Sequence, residues 1–75
     1  MKIEVLGSGC VKCSRLEKNV RKAIEKKGVK ADILKVTDPM EIADRGVMIT
    51  PGLVIDGRVV SSGKVPSVDE IVTLL

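Results

Sequence analysis

The chain has no phenylalanine, tyrosine or tryptophan, no histidine, and only two cysteines. Without aromatic rings the core must be built from Val, Ile and Leu, with Met and Ala filling gaps. The same absence removes the stacking platforms that single-stranded nucleic acids use, and no nucleic-acid motif is present, so nucleic acid is not an expected partner. Without histidine the common zinc sets lose half their ligands, and no metal site is expected. No apolar stretch reaches membrane-spanning length, and Met1 to Gly9 carries no apolar leader with a small-residue cleavage site. A cytoplasmic protein with no membrane partner is therefore expected. In that compartment a close cysteine pair is catalytic or metal-binding more often than structural.

Seventy-five residues predict one domain over 1–75, and a monomer is expected. A domain this small buries roughly 60% of its unfolded surface, which leaves a thin margin of stability. The cysteine pair does little for that margin. Closing a four-residue loop gives about 2 kcal/mol on chain-entropy arithmetic, before strain is subtracted.

The patterning predicts β-α-β-α-β-β-α. Lys2 to Leu6 alternates as a short strand, and Gly7-Ser8-Gly9 reads as a turn. From Val11 to Lys27, Leu16, Val20, Ala23 and Ile24 recur at helical spacing, with Gly28 as the C-terminal cap. Ala31 to Val36 is a second strand. Asp38-Pro39-Met40-Glu41 opens a short helix, with Asp38 as cap, Pro39 in the first turn and Glu41 completing a capping box. Leu53–Ile55 and Arg58–Val60 flank Asp56-Gly57, a strong hairpin signal. Ser61 to Pro66 is a loop, and Ser67-Val68-Asp69-Glu70 is a second capping box that opens a helix running to Leu75. Strand, crossover helix and strand at the start argue for a parallel pair; the hairpin adds antiparallel strands.

The two cysteines stand as Cys10-Val11-Lys12-Cys13 at the strand-to-helix junction. Such a pair can pass electrons to another disulfide, hold a soft metal, or close a small ring. At a helix N-terminus, free N–H groups and the macrodipole favour a thiolate at Cys10, and Lys12 acts in the same direction. Cys13, one turn on, is drawn to the buried side. On that geometry Cys10 attacks a partner disulfide and Cys13 resolves the mixed disulfide. The first helix is strongly basic: Lys12, Arg15, Lys18, Arg21, Lys22, Lys26 and Lys27 stand against Glu17 and Glu25. A solvated face accounts for that; the sharper reading is a docking face for an acidic partner. Thr50-Pro51 precedes the third strand, where proline is ordinarily an edge or turn residue.

Taken together, the cysteine pair, Thr50-Pro51, the Asp56-Gly57 hairpin and Ser62-Gly63-Lys64 resemble the thioredoxin superfamily, in particular its small glutaredoxin-like members. The resemblance implies an α/β thioredoxin-like fold, a four-stranded mixed sheet flanked by three helices. It also implies a thiol–disulfide oxidoreductase that works without a bound cofactor, through a redox-active Cys10–Cys13 disulfide. Its partners would be protein disulfides and a separate reductase or small thiol. In that family the Thr-Pro bond is cis. Pro51 would then shield Cys10, Thr50 would pair with the substrate backbone, and Val11, Lys12 and Gly63 would complete the substrate face. Glutaredoxins carry a Gly-Gly pair near the last helix that grips glutathione; this chain has the single Gly63. Glu4 lies six residues before Cys10, where thioredoxins place a buried aspartate that relays a proton to the resolving thiol; the alternatives are a solvated strand face or a surface ion pair. The rival function is a Cu(I)-type soft-metal carrier using the same two cysteines. Such carriers end on a strand and often place Met two residues before the first cysteine, where this chain has Ser8.

Overall fold

A computed structural model of the protein describes residues 1–7 and 11–75. Ser8 and Gly9 of the expected turn, and Cys10, lie outside the described residues. The elements run β1 (Lys2–Leu6), α1 (Val11–Lys27), β2 (Asp32–Val36), α2 (Pro39–Asp44), β3 (Gly52–Ile55), β4 (Arg58–Ser62) and α3 (Val68–Leu74). The four strands form one sheet in the order β2-β1-β3-β4. β1 pairs parallel to β2 and antiparallel to β3, and β3 pairs antiparallel to β4. The parallel pair needs a crossover, and α1 supplies it.

α1 occupies the predicted span, because its apolar residues stay on one stripe and Gly28 ends it. Gly28 adopts φ +72° and donates its N–H to the Ile24 carbonyl at 2.9 Å. At the hairpin, Asp56 and Gly57 both take positive φ, 49° and 83°, as a type I′ turn requires. Asp56 also ties the hairpin tip to the start of β1: its N–H donates to the Lys2 carbonyl and its Oδ1 accepts from the Lys2 N–H, each at 2.8 Å.

The structure differs from the sequence pattern at several element ends and at one cap: β2 starts at Asp32 rather than Ala31, and β3 at Gly52 rather than Leu53. β4 continues through Ser61 and Ser62, which pair with Leu53 and Gly52, and a bulge falls between Leu53 and Val54. Two serines carry little strand propensity, so ladder pairing is what extends the strand. In α2, Asp38 accepts from the Met40 N–H at 2.9 Å, and no reciprocal bond from Glu41 is present among the described residues. The aspartate alone caps that helix. In α3 the capping box is complete, with the Glu70 N–H donating to Ser67 Oγ at 3.2 Å, but the helix stops at Leu74.

Alternation along β1 sends Ile3 and Val5 to one face of the sheet and Glu4 and Leu6 to the other. On the first face they join Leu16, Val20 and Ala23 of α1, Leu53 and Ile55 of β3, and Ile71 of α3 in the larger core cluster. On the second, Leu6, Val36, Ile42, Val47 and Val54 form a smaller one beneath α2.

Candidate redox site

The site is built where β1 gives way to α1. Cys13 lies in the first turn of α1 with its side chain turned inward, 6% exposed, while Val11 and Lys12 on the same turn are exposed. Helical spacing explains the split, since Cys13 shares the buried stripe with Leu16 and Val20.

Gly7 makes room for the Cys13 sulfur. A Cβ at Gly7 would collide with Cys13 Sγ and would lie 4.0 Å from Pro51 Cα. Gly7 is nevertheless held firmly, donating its N–H to the Val36 carbonyl at 2.9 Å. Three segments thus converge: the end of β1 at Gly7, the start of α1 at Cys13, and the approach to β3 at Pro51. The Thr50–Pro51 peptide bond is cis, Pro51 is fully buried and Thr50 is exposed.

Gly63 belongs to the same neighbourhood. It adopts φ +72° and donates its N–H to the Pro51 carbonyl at 2.8 Å. A Cβ on Gly63 would come within 2.9 Å of Ile49 Cγ2, so the loop after β4 presses directly on the Thr50–Pro51 segment. Beside Cys13 lies a cavity of about 80 Å³ lined by Val5, Gly7, Cys13, Ser14, Lys35 and Thr37. Lys35 is drawn towards α1 by Glu17, 3.3 Å away. On the α2 side of Thr50 opens a wider groove lined by Thr37, Pro39, Ile42, Ala43, Val47 and Met48. Met48 and Ile49, immediately before Thr50, are 89% and 64% exposed.

Glu4 is buried at 7% exposure, on the face opposite Ile3 and Val5. Arg45 engages both of its oxygens: Nε donates to Oε2 and Nη2 to Oε1, the latter at 3.4 Å; Lys2 Nζ stands 3.6 Å from Oε1. The Arg45 hydrogen bond holds the Glu4 carboxyl below its ordinary range, outweighing burial, which pushes the other way. The guanidinium is correspondingly held in its charged form by Glu4.

The structure therefore brings Cys13, Thr50, Pro51 and Gly63 together and places Val11 and Lys12 at the exposed rim. Cys10, the expected nucleophile, lies outside the described residues. Sequence reasoning missed Gly7, although a glycine directly after a strand that leads into a cysteine helix is a signal of close backbone approach. It also missed Arg45, which had no signal at all, since it meets Glu4 across 41 positions of sequence.

On α1, Arg21 pairs with Glu17 at 3.3 Å and Lys26 with Asp69 of α3 at 2.6 Å. Lys12, Arg15, Lys18 and Lys22 are exposed along the rest of the helix.

Residues 1–75 match the family described as thioredoxin domain. The thioredoxin of Methanocaldococcus jannaschii is 49% identical over 69 residues, covering 92% of this chain and 79% of that protein. The thioredoxin of Methanothermobacter thermautotrophicus is 39% identical over 75 residues, covering 100% of this chain and 97% of its own.

Proposed function

This chain belongs to the thioredoxin family of thiol–disulfide oxidoreductases, and on that premise we propose that Cys10 and Cys13 form an asymmetric dithiol couple that reduces protein disulfides. The Cys10 thiolate attacks one sulfur of the substrate disulfide. A Cys10–substrate disulfide forms and one substrate thiolate leaves. The Cys13 thiolate then attacks the Cys10 sulfur, a Cys10–Cys13 disulfide forms, and the second substrate thiolate leaves. Two electrons pass to the substrate, and a separate reductase or small thiol returns them. No bound cofactor takes part, and the cytoplasm, with its reducing poise, is the compartment the couple suits.

The observation that carries this reading is the convergence of Cys13, Gly7 and Pro51. A buried thiol packed against main chain is unsuited to attack a protein from outside, yet well placed to resolve a bond formed three residues earlier. Cys10 directly precedes α1 in sequence, where helix N–H groups favour a thiolate. Thr50, exposed beside buried Pro51, offers main chain to an extended substrate segment, with Gly63 supporting it from behind. Val11 and Lys12 complete the rim. The exposed cations of α1 give an acidic partner a surface beside the thiols.

Alkylation of the reduced protein below neutral pH, with mapping of the modified cysteine, tests the assignment. Cys10 labels first, and Cys13→Ser accumulates a mixed disulfide on Cys10. Titration against thiol redox buffers places the couple among dithiol oxidoreductases. Equal, sluggish labelling of both cysteines together with tight Cu(I) binding would move the protein to the soft-metal carriers.

A further inference from the structure

The segment that presents Thr50 is fastened at both ends, and one fastening involves neither a cysteine nor Thr50 or Pro51. Arg45 follows the last residue of α2. Its backbone N–H donates to the Glu41 and Ile42 carbonyls, and its side-chain Nη1 donates to the Glu41 carbonyl at 3.0 Å. The rest of the guanidinium grips Glu4 on β1 through two hydrogen bonds. Glu4 is in register with Val54 of β3, and Leu6 with Gly52, where the segment rejoins the sheet. Six residues separate Arg45 from Gly52. Within them Val47 is buried and packs on Gly52, where a Cβ would lie 2.9 Å from Val47 Cγ1. Met48, Ile49 and Thr50 stand exposed between these anchors.

A buried carboxylate on a central strand costs desolvation and is kept only where it is paired and hydrogen-bonded. Here the pairing joins the exit of α2 to the strand that also leads to Gly7. A planar, two-pronged guanidinium fixes direction as well as distance, which a lysine cannot do.

We propose that Arg45 is a positioning residue: acting through Glu4, it fixes the entry end of the Gly46–Pro51 segment and so sets how Thr50 meets the substrate backbone. The inference rests on the reading that Thr50 pairs with substrate. It gives Glu4 a mechanical role that differs from proton relay to Cys13, and the two roles separate experimentally. A relay would act on every disulfide alike. A positioning pair acts on substrates that lie along Thr50.

The test compares wild type, Arg45→Met, Arg45→Lys and Glu4→Gln on insulin and on a small aromatic disulfide, with amide exchange of residues 46–50 followed by NMR. In Arg45→Met the KM for insulin rises about fivefold while kcat moves less than about twofold. The small disulfide is reduced at close to the wild-type rate, and exchange of the Ile49 and Thr50 amides accelerates. Arg45→Lys recovers only part of the loss, and Glu4→Gln follows Arg45→Met. Lys2, Glu41 and Asp44 also face this pair, so the pH profile of Cys10 alkylation is recorded for each variant and stays unchanged. An equal loss on both disulfides, a displaced alkylation profile in Glu4→Gln, or unaltered exchange in the segment would each overturn the proposal. Should Arg45→Met fail to fold, Arg45→Lys and Glu4→Gln decide by the same readings. A wild-type protein inactive on insulin would instead sink the oxidoreductase reading, while amide exchange still judges Arg45.

Discussion

The two faces of the sheet are stabilised differently. Beneath α1 and α3 the core is apolar, with Ile3, Leu16, Val20, Ala23, Leu53 and Ile71 shut off from solvent, and ion pairs such as Lys35–Glu17 and Lys26–Asp69 lie only at its rim. Beneath α2 the cluster is smaller, the helix is only six residues long, Leu34 remains 45% exposed, and a half-buried ion pair between Arg45 and Glu4 supplements the packing. The first face gains from area, which is non-directional and grows with every buried methyl group. The second gains from a directional contact, which holds one geometry and little else. One face is packed, and the other is pinned.

Cavity mutations should expose that difference most sharply. Leu16→Ala removes a fully buried side chain from the larger cluster and should lower unfolding free energy by about 3–5 kcal/mol. Ile42→Ala, on the α2 side, should cost nearer about 2 kcal/mol, because a short helix at the surface can settle into the gap. Urea titrations of both variants measure it; equal costs would mean that the two faces are packed alike.

Acid should break the pinned face before the packed one. The folded-state pKa of Glu4 lies below its ordinary value of 4.5, so the pair contributes fully above that value, and its contribution is lost as pH falls through the depressed one. Thermal unfolding followed downward from about pH 6 should show stability falling below about pH 4.5, a fall that Glu4→Gln should flatten. Exposed Asp69, lowered by Lys26, titrates in the same direction, so Lys26→Ala serves as the control for its share.

The smallest effect concerns charge. α1 is cationic, whereas α2 and its cap carry Asp38, Glu41 and Asp44. Reduction of an acidic protein disulfide should slow about two- to fivefold as salt rises from low to physiological strength. In a Lys18→Ala, Lys22→Ala variant the rate should depend less on salt. Stopped-flow rates at several ionic strengths check this, and an unchanged salt slope would mean that the helix face is merely solvated.

Most of the fold was legible because its signals are local. The stripe of Leu16, Val20 and Ala23, the Asp56-Gly57 turn and the Ser67–Glu70 box each lie within a few residues of the structure they specify. What escaped is non-local. Ser61 and Ser62 are strand only because Gly52 and Leu53 lie beside them. Arg45 finds Glu4 only after α2 has been laid across the sheet, and until then it reads as one more surface cation. The site divides in the same way: the cysteines and Thr50-Pro51 announce themselves, whereas the role of Gly7 appears only once Cys13 is packed against it.

The cavity beside Cys13 sets a size limit on what could meet the buried sulfur from that side. About 80 Å³ has room for a few water molecules and none for a polypeptide. Ser14, Lys35 and Thr37 line it together with Val5 and Gly7. Water fits there and a protein segment does not. On the proposed mechanism, that suits Cys13 to the bond its own chain would deliver to it rather than to direct exchange with a folded protein.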